Sequence, residues 1–231
     1  MKTLKVIKIG GNIINNEVGL LSFLKGFSRL NGPKILVHGG GKLASDLSNK
    51  MNIPVQLIDG RRVTNAETLD IITMVYAGKI NKNIVAKLQR FGCNSVGFTG
   101  ADGNTIIANK RSETPINYGF AGDIVKVNID VLKILINNDI TNVFSAISHD
   151  KKGQLLNTNA DTVASELAIA FSNDYKVELY YCFEKKGVLQ RTNDENSVIK
   201  KINNKTYIEL KKSNIINEGM IPKLDNCFYA L

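Results

Sequence analysis

The chain has 231 residues, 43% of them hydrophobic and 22% charged, and its formal net charge is +9 at pH 7. A chain of this size buries roughly 70% of its unfolded surface, so it needs no disulfide or structural zinc to fold. Aromatic residues make up 7%, none of them Trp, and no basic run is interleaved with aromatics, which argues against nucleic acid; no apolar stretch is long enough to span a bilayer.

Strand-like apolar runs alternate along the chain with segments of helical period. Strands are predicted at residues 4–9, 34–37, 95–98, 142–146 and 176–183. Helices are predicted at residues 20–30, 43–51, 66–89 with a break near Gly78, 129–138, 161–171 and 205–212. Two further segments, 55–63 and 102–127, have the pattern of hairpins. Strands spaced by helices predict βαβ units and a mostly parallel sheet that is covered on both faces.

The first predicted strand ends in a lysine followed by two glycines, Lys8, Gly10 and Gly11. Ligands of open α/β sheets lie at the carboxyl ends of the strands. A lysine in a buried strand costs desolvation free energy unless an anion meets it, and glycines allow backbone N–H groups to approach that anion closely. The alternative is a strand-terminal lysine that reaches solvent past a tight turn.

The second strand leads through His38 and three glycines, residues 39–41, into a helix. Glycines before a helix N-terminus are typical of an anion site. The loop is not a Walker A motif, because Leu36 stands where that motif needs glycine and Leu43 where it needs Ser or Thr. His38 is interpreted either as a proton carrier or as a packed structural histidine, and His149, the other histidine, is predicted in a surface turn.

Polar residues at two later turns are further candidates. Arg62 lies beside a turn and could bind a carboxylate through two parallel hydrogen bonds, although Arg61 and Arg62 could also be a surface pair. Asn157, Asn159 and Asp161 cluster at the start of one helix, which is more than an N-cap needs. A carboxylate at that point could hold two lysine ammonium groups.

The last candidate is Lys223, which directly follows Pro222. Proline fits the first turn of a new helix, so the lysine lies near the positive end of that helix. A cation is unfavourable there unless an anion also binds. An ordinary exposed lysine is the alternative.

Cysteine spacing and the N-terminus point to a cellular compartment. Cys93, Cys182 and Cys227 are widely spaced and form no CxxC pair, so neither a zinc site nor a disulfide framework is indicated. The first strand begins almost at the N-terminus, without the pattern of a signal peptide. We therefore predict a reduced, cytoplasmic protein with no membrane and no nucleic-acid partner.

Taken together, the motifs resemble the amino-acid kinase family, and within it the branch that acts on N-acetylglutamate. The matching segments follow in order at residues 8–11, 38–41, 60–64, 157–161 and 219–223. The resemblance spans nearly the whole chain. It implies an α/β fold, a three-layer αβα sandwich around a mainly parallel sheet. Residues 1–172 would form the acylglutamate-binding lobe and residues 173–231 the nucleotide-binding lobe, with one sheet shared between them.

The resemblance also implies the reaction and its residues. ATP, with Mg²⁺, would phosphorylate the side-chain carboxylate of N-acetyl-L-glutamate in arginine biosynthesis. Lys8 and Lys223 would neutralise the transferred phosphoryl group, and Asp161 would orient both lysines. The implied substrate-binding residues are Gly40, Gly41, Arg62, Asn157 and Asn159. The implied nucleotide- and phosphate-binding residues are Gly10, Gly11, Glu184, Gly187, Leu189, Ile215 and Asn217, with no protein ligand to a metal.

The chemistry independently suits such a site. A carboxylate nucleophile has a pKa of about 4.3 and is ionised at neutral pH, so no general base is needed. The reaction instead needs the repulsion between two anions to be cancelled, which lysines, Mg²⁺ and backbone N–H groups can do.

The sequence departs from the family pattern at three places. The family's Thr-Asp-Val before the nucleotide loop is replaced by Phe183-Glu184-Lys185, which keeps a carboxylate on a longer arm. No helix precedes the first strand, from which we predict a homodimer without arginine inhibition. Leu231 is predicted to fall inside the helix that begins at Pro222, so the strands that the family adds beyond it are missing, and we expect a weakened nucleotide lobe.

Alternatives remain for the substrate and for activity itself. The acyl group could be succinyl, whose extra carboxylate would need a cation such as Arg61, Lys110 or Arg111. The chain could be a sister kinase that acts on carrier-bound aminoadipate. It could also be a truncated, non-catalytic protein that binds nucleotide or acylglutamate.

Overall fold

A computed structural model describes residues 1–58, 60–216 and 220–231. Its strands are β1 (Thr3–Ile9), β2 (Lys34–His38), β3 (Leu57–Ile58), β4 (Arg61–Arg62), β5 (Ser95–Phe98), β6 (Ile106–Lys110), β7 (Gly122–Val127), β8 (Thr141–Ser145), β9 (Ile147–His149), β10 (Leu155–Asn157) and β11 (Lys176–Cys182). Its α-helices are α1 (Gly11–Asn15), α2 (Glu17–Ser28), α3 (Gly41–Lys50), α4 (Ala66–Thr73), α5 (Asn81–Arg90), α6 (Asp130–Asn137), α7 (Ala160–Phe171), α8 (Asn204–Lys212) and α9 (Ile221–Tyr229).

The central sheet has five parallel strands in the order β11-β1-β2-β8-β5. All residues of β2 and β8 are buried, with no alternation between exposed and buried positions, as expected for strands covered on both faces. The register aligns Lys8 of β1 with Val37 of β2 and Tyr181 of β11. The end of β1 is therefore enclosed by a strand on each side.

Helices cover both faces of this sheet, so the predicted three-layer αβα sandwich is confirmed. Crossovers between parallel strands are almost always right-handed. The chain moves across the sheet in one direction from β1 through β2 to β5, and then returns through β8 to β11. This reversal places α2 and α5 on one face and α6 and α7 on the other, where α7 contacts β1, β2 and β11.

A second sheet of four strands continues from the end of β8, in the order β10-β9-β6-β7. Its β6–β7 and β9–β10 pairs are antiparallel, and β6 runs parallel to β9. The prediction of a surface turn at His149 is wrong, because His149 ends β9 and is half-buried. Strand pairing between residues 147–149 and 155–157 places His149 in the second sheet, and no local sequence signal indicated that pairing.

The predicted strands of the central sheet agree with the observed ones to within one residue at each end. The predicted break at Gly78 is wrong. Helical structure continues from Ala66 to Arg90, with a π-helical stretch at Met74–Ile80. The wider turn accommodates Gly78 without ending the helix. The helix that begins beside Pro222 ends at Tyr229, before Leu231, so the expectation that the chain stops inside it is also wrong.

The molecule has two hydrophobic clusters. The larger fills both layers around the central sheet and includes partly buried residues of β11. The smaller lies between α8, α9 and the segment before them, and its buried members are Tyr207, Leu210, Ile216 and Leu224. Within the described ranges, no helix is both long and apolar enough to cross a lipid bilayer.

Candidate active site

Two lysines and one aspartate meet at the carboxyl end of β1. Lys8 Nζ lies 2.7 Å from Asp161 Oδ1, and Lys223 Nζ lies 3.3 Å from Asp161 Oδ2. Lys8 comes from the end of β1, Asp161 from the first turn of α7 and Lys223 from the first turn of α9. Lys8 and Lys223 thus share the carboxylate of Asp161, which is 62 positions before Lys223 in the sequence.

This trio carries an excess of positive charge in a buried place. The side chains of Lys8 and Asp161 are 10% and 8% exposed, and that of Lys223 is 23% exposed. Burial lowers the pKa of Lys8 from its ordinary value of 10.5, and the charge of Lys223 lowers it further, while Asp161 opposes both effects. Two ammonium groups against one carboxylate leave one positive charge, which favours binding of an anion.

Asn159 determines where α7 starts and therefore where Asp161 lies. Its side-chain oxygen accepts hydrogen bonds from the backbone N–H groups of Asp161 and Thr162, at 2.7 and 3.3 Å. Asn159 is thus the N-cap, and a cap of this kind typically stabilises a helix by about 1 kcal/mol. Since the cap uses its oxygen, only the Asn159 side-chain N–H groups are left for a ligand.

A cavity of about 500 Å³ opens on one side of the trio. Six of the residues predicted to bind nucleotide line it: Gly10, Gly11, Glu184, Gly187, Leu189 and Ile215. Lys8 and Lys223 also form part of its wall. The seventh predicted residue, Asn217, lies outside the described residues.

A second cavity of about 260 Å³ opens on the other side of the trio. All five residues predicted to bind the substrate line it: Gly40, Gly41, Arg62, Asn157 and Asn159. Lys8 and Gly11 belong to the walls of both cavities. A group bound at Lys8 is therefore accessible from two separate binding spaces.

One terminal nitrogen of the Arg62 guanidinium is hydrogen-bonded, and the other is not, within the part of the chain that the structure describes. Its Nη2 donates hydrogen bonds to the backbone oxygen of Gly41, at 2.9 Å, and to Ser45 Oγ, at 2.7 Å. Its Nη1 is buried without a hydrogen-bond partner among the described residues. Leaving a buried donor unpaired costs about 1–3 kcal/mol, so an acceptor in the second cavity would be stabilising.

Gly11 and Gly40 differ in what surrounds them. A Cβ atom at Gly11 would meet no protein atom within 4 Å, whereas one at Gly40 would lie 2.2 Å from Ile80 Cδ1 and 3.0 Å from the Tyr76 ring. We expect Gly40→Ala to lower the free energy of unfolding by about 1–3 kcal/mol, as overpacking does. We expect Gly11→Ala to fold normally and to lose activity, because only a ligand would meet the new methyl group. Thermal unfolding and steady-state kinetics of both variants test this contrast, and equal destabilisation of the two would contradict it.

His38 is a structural residue in this arrangement. It is fully buried, and burial lowers its pKa to about 4. One ring nitrogen lies 2.9 Å from the backbone oxygen of Gly39 and the other 3.0 Å from the side-chain nitrogen of Asn81. A neutral imidazole satisfies both contacts, donating to the former and accepting from the latter. His38 therefore holds the glycine loop and carries no charge near neutral pH.

Several cavity residues were not predicted. Tyr76 lines the second cavity from the π-helical stretch, beside the Arg62 guanidinium. Asn12, Lys42 and Thr192 line the first cavity. The position of Lys42 after a glycine loop was a usable signal. Tyr76 gave none, because a buried tyrosine in a helix has the same pattern as a core residue.

An α/β fold in which two cavities meet at paired lysines defines a protein that brings two ligands to one point, at least one of them an anion. A model of the amino acid kinase family matches residues 3–231. The chain belongs to this family.

Curated relatives and solved structures agree with this assignment. The chain is 55% identical over 232 residues to an acetylglutamate kinase of Cytophaga hutchinsonii. The alignment covers 100% of this chain and 88% of that protein. It is 46% identical to an acetylglutamate kinase of Parabacteroides distasonis, covering 100% of this chain and 91% of the relative. A crystal structure of smu.665 from Streptococcus mutans UA159 has a TM-score of 0.82 at 28% identity, covering 96% and 88% of the two chains.

Proposed function

We propose that this chain is an ATP-dependent kinase that transfers the γ-phosphoryl group of ATP to the side-chain carboxylate of N-acetyl-L-glutamate. The product is N-acetylglutamyl 5-phosphate, in arginine biosynthesis. Relatives named acetylglutamate kinase at 46–55% identity over the whole chain support this assignment. The structural observation that carries the proposal is that Lys8 and Gly11 line both cavities.

The proposed reaction uses the two cavities for different ligands. The nucleotide occupies the larger cavity, and the acylglutamate occupies the smaller one, with a carboxylate on Arg62. A side-chain carboxylate oxygen attacks the γ-phosphorus. The new O–P bond forms as the bond from that phosphorus to the β,γ-bridging oxygen breaks, and ADP leaves with the electron pair. No proton moves, which agrees with a site whose buried histidine is neutral and occupied by structural contacts.

The protein's own groups provide the charge compensation that this reaction needs. Both lysines lie on one carboxylate, so they are positioned before any ligand binds. Preorganised positive groups lower the barrier most where negative charge develops. In the proposed mechanism, Lys8 contacts the phosphoryl group during its transfer from one cavity to the other, because Lys8 lines both. Lys223 contacts it from the nucleotide cavity.

The described residues provide little for a metal of their own. They contain no group of three or more His, Cys, Asp and Glu side chains that could hold an ion. Glu184 is the one acidic side chain in the wall of the larger cavity as described. Mg²⁺ commonly binds through one or two carboxylates together with nucleotide phosphates, so Glu184 fits an ion that enters with ATP. When bound, Mg²⁺ would neutralise phosphate charge.

The role proposed for Arg62 gives a prediction about substrate binding. We expect Arg62→Lys to raise the KM for acetylglutamate about thirtyfold, which corresponds to roughly 2 kcal/mol for a lost charge-assisted hydrogen bond. The KM for ATP should change little, because Arg62 lines only the smaller cavity. Steady-state kinetics with each substrate varied in turn measure both values. Arg90→Lys, at the exposed end of α5, is the control. A matching rise in both KM values would contradict the assignment.

The acyl group is open to a specific alternative. Arg61 and Arg111 line the smaller cavity, whereas Lys110, the third predicted cation, pairs with Glu113. The Arg111 guanidinium is itself paired with Asp123. These arginines favour a second candidate substrate, N-succinyl-L-glutamate, whose additional carboxylate could compete for one of them.

Release of ADP with three candidate acceptors tests the proposal. Acetylglutamate and succinylglutamate should support turnover, and carrier-bound aminoadipate should not. ADP release with the carrier-bound acid alone would favour the sister kinase. Binding of ATP and acetylglutamate by calorimetry without turnover would favour a non-catalytic binding protein.

A further inference from the structure

The position of Lys223 is less directly fixed than that of Lys8. Lys8 belongs to a strand with a neighbour on each side, whereas Lys223 lies in the first turn of α9, whose N-cap Met220 forms no side-chain cap. Its 3.3 Å contact with Asp161 is longer and more exposed than the 2.7 Å contact of Lys8. Some other contact must hold α9 at the correct height against α7.

Ser165 provides such a contact. It lies one turn after Asp161 in α7 and is fully buried. Its hydroxyl donates a hydrogen bond of 3.0 Å to the backbone oxygen of Asn226. Asn226 is in α9, three positions after Lys223. One hydroxyl thus joins the helix of Asp161 to the helix of Lys223 next to their ion pair.

Tyr181 extends this contact to the central sheet. Its hydroxyl lies 2.7 Å from Ser165 Oγ and donates to the backbone oxygen of Asp161 at 3.0 Å. Tyr181 is in β11, in register with Lys8 of β1. The two hydroxyls therefore link α7 and α9, which carry Asp161 and Lys223, to β11, the strand that pairs with the strand of Lys8.

The Ser165 hydroxyl has one proton and three oxygen neighbours, because the backbone oxygen of Asp161 at 3.2 Å and Tyr181 Oη at 2.7 Å also lie within hydrogen-bonding distance. When Ser165 donates to the Asn226 backbone oxygen, the Tyr181 proton is shared between Ser165 Oγ and the Asp161 backbone oxygen. Removing the Ser165 hydroxyl breaks the bond between the two helices and leaves the Tyr181 bond to Asp161 intact. A further α7–α9 contact, between Glu166 and Tyr229, involves a tyrosine that is 64% exposed, so solvent weakens it.

We propose that Ser165 is a positioning residue that fixes the position of α9 relative to α7 and thereby places Lys223 on Asp161. The inference rests on the proposed function for the role of Lys223 in turnover, but the position of α9 can be measured without turnover. Misplacement of a reacting group by about 1 Å can cost about a hundredfold in rate, so a small shift of the helix has a measurable effect.

The kinetic test uses Ser165→Ala beside Ser172→Ala. Ser172 also donates to a backbone oxygen within α7, at 2.8 Å, but it does not reach α9. We expect Ser165→Ala to lower kcat about tenfold with the KM for acetylglutamate unchanged, and Ser172→Ala to leave both unchanged. A double variant with Lys223→Ala should lose no more activity than Lys223→Ala alone, because Ser165 acts through that lysine. If Ser165→Ala lowered kcat by the same factor in the unaltered protein and in the Lys223→Ala variant, the proposal would be overturned.

Hydrogen exchange gives a second test that does not depend on catalysis. In Ser165→Ala, backbone amides of α9 should exchange faster, while those of α7 and β1 keep their protection. Unchanged exchange in α9, or a uniform increase over the whole fold, would overturn the proposal. If the unaltered protein fails to phosphorylate acetylglutamate, the proposed function fails, and the exchange experiment still decides whether Ser165 holds α9.

Discussion

Replacing Lys8 by methionine should lower kcat about 10²–10³-fold without weakening the fold. The estimate corresponds to the loss of one preorganised group at a developing charge, about 3–4 kcal/mol. Methionine keeps an unbranched apolar stem in the buried end of β1. Asp161 keeps Lys223 as a partner, at 3.3 Å. Burial already lowers the pKa of Lys8, so its charge costs stability in the folded protein, and Lys8→Met should unfold at the same or a higher temperature.

Lys5→Met is the matched control for this experiment. Lys5 lies in the same strand, and its ammonium donates to the backbone oxygen of Asn31 at 3.1 Å, away from both cavities. Its turnover should equal that of the unaltered protein. If Lys8→Met kept normal turnover but lost stability, Lys8 would have a structural role only.

The pH dependence of the unaltered protein should also report on Lys8. Lys8 must be protonated to bind an anion, and its pKa lies below the ordinary 10.5. The alkaline decline of kcat/KM, which reports the ligand-free protein, should therefore begin below that value, and the part of it that Lys8 causes should be absent in Lys8→Met. Between the lowered pKa of Lys8 in the folded protein and its ordinary value of 10.5, the unfolded chain binds more protons than the folded one. In that pH range the contribution of Lys8 makes the free energy of unfolding rise with pH.

Asp161→Asn should affect activity and stability together. The change leaves two ammonium groups beside each other, one of them buried, without the carboxylate between them. Removing one member of a buried ion pair typically costs 3–5 kcal/mol, so we expect the free energy of unfolding to fall by about 3 kcal/mol at neutral pH. We expect kcat to fall at least about a hundredfold, because neither lysine keeps its position.

The pH dependence of Asp161→Asn distinguishes this cause from simple loss of packing. The carboxylate raises the pKa of Lys8, so its loss should lower that pKa further. Stability of the variant should recover as the pH rises and Lys8 releases its proton, because the unfolded chain then binds more protons. Asp174→Asn, which removes the exposed pair with Lys133, should change stability little at any pH. A loss in Asp161→Asn that is independent of pH would contradict this account.

The strand bounds of the central sheet could be predicted closely. Each of its strands is a strongly apolar run, and each run is bounded by glycine or by the polar start of a helix. The same logic indicated Lys8 and Asp161, since a charged residue at the end of a buried strand or at a helix start needs a partner. Because the carboxyl ends of parallel strands lie at one edge of a sheet, these residues were expected at the same edge. Arg62 was assigned through the family resemblance alone, because its turn also fits a surface arginine pair. The predicted roles of the site residues, the lobe boundary after residue 172, the homodimer and the cytoplasmic location stay predictions.

Other features could not be predicted, since they depend on contacts between distant segments. The pairing of Ser165 with Asn226 joins residues 61 positions apart, and Asn81 reaches His38 across 43 positions. A serine inside an apolar helix face and an asparagine at the start of a helix are both common, so neither indicates its partner. Tyr76 lines the second cavity from a π-helical stretch, which no local sequence signal indicated.

That π-helical turn makes the region sensitive to chain length. The stretch Met74–Ile80 holds Tyr76 and Ile80 against Gly40, and directly after it Asn81 bonds to His38. Removing one residue and converting the wide turn to an ordinary helix would leave α5 in about its present orientation, because the tighter turns supply the rotation of about 100° that the lost residue contributed. Asn81 would then stay beside His38, but the side chains within the stretch would change direction, and the packing of Tyr76 and Ile80 against Gly40 would be altered. The segment should therefore tolerate replacement of exposed residues such as Met74 far better than the deletion of any single one.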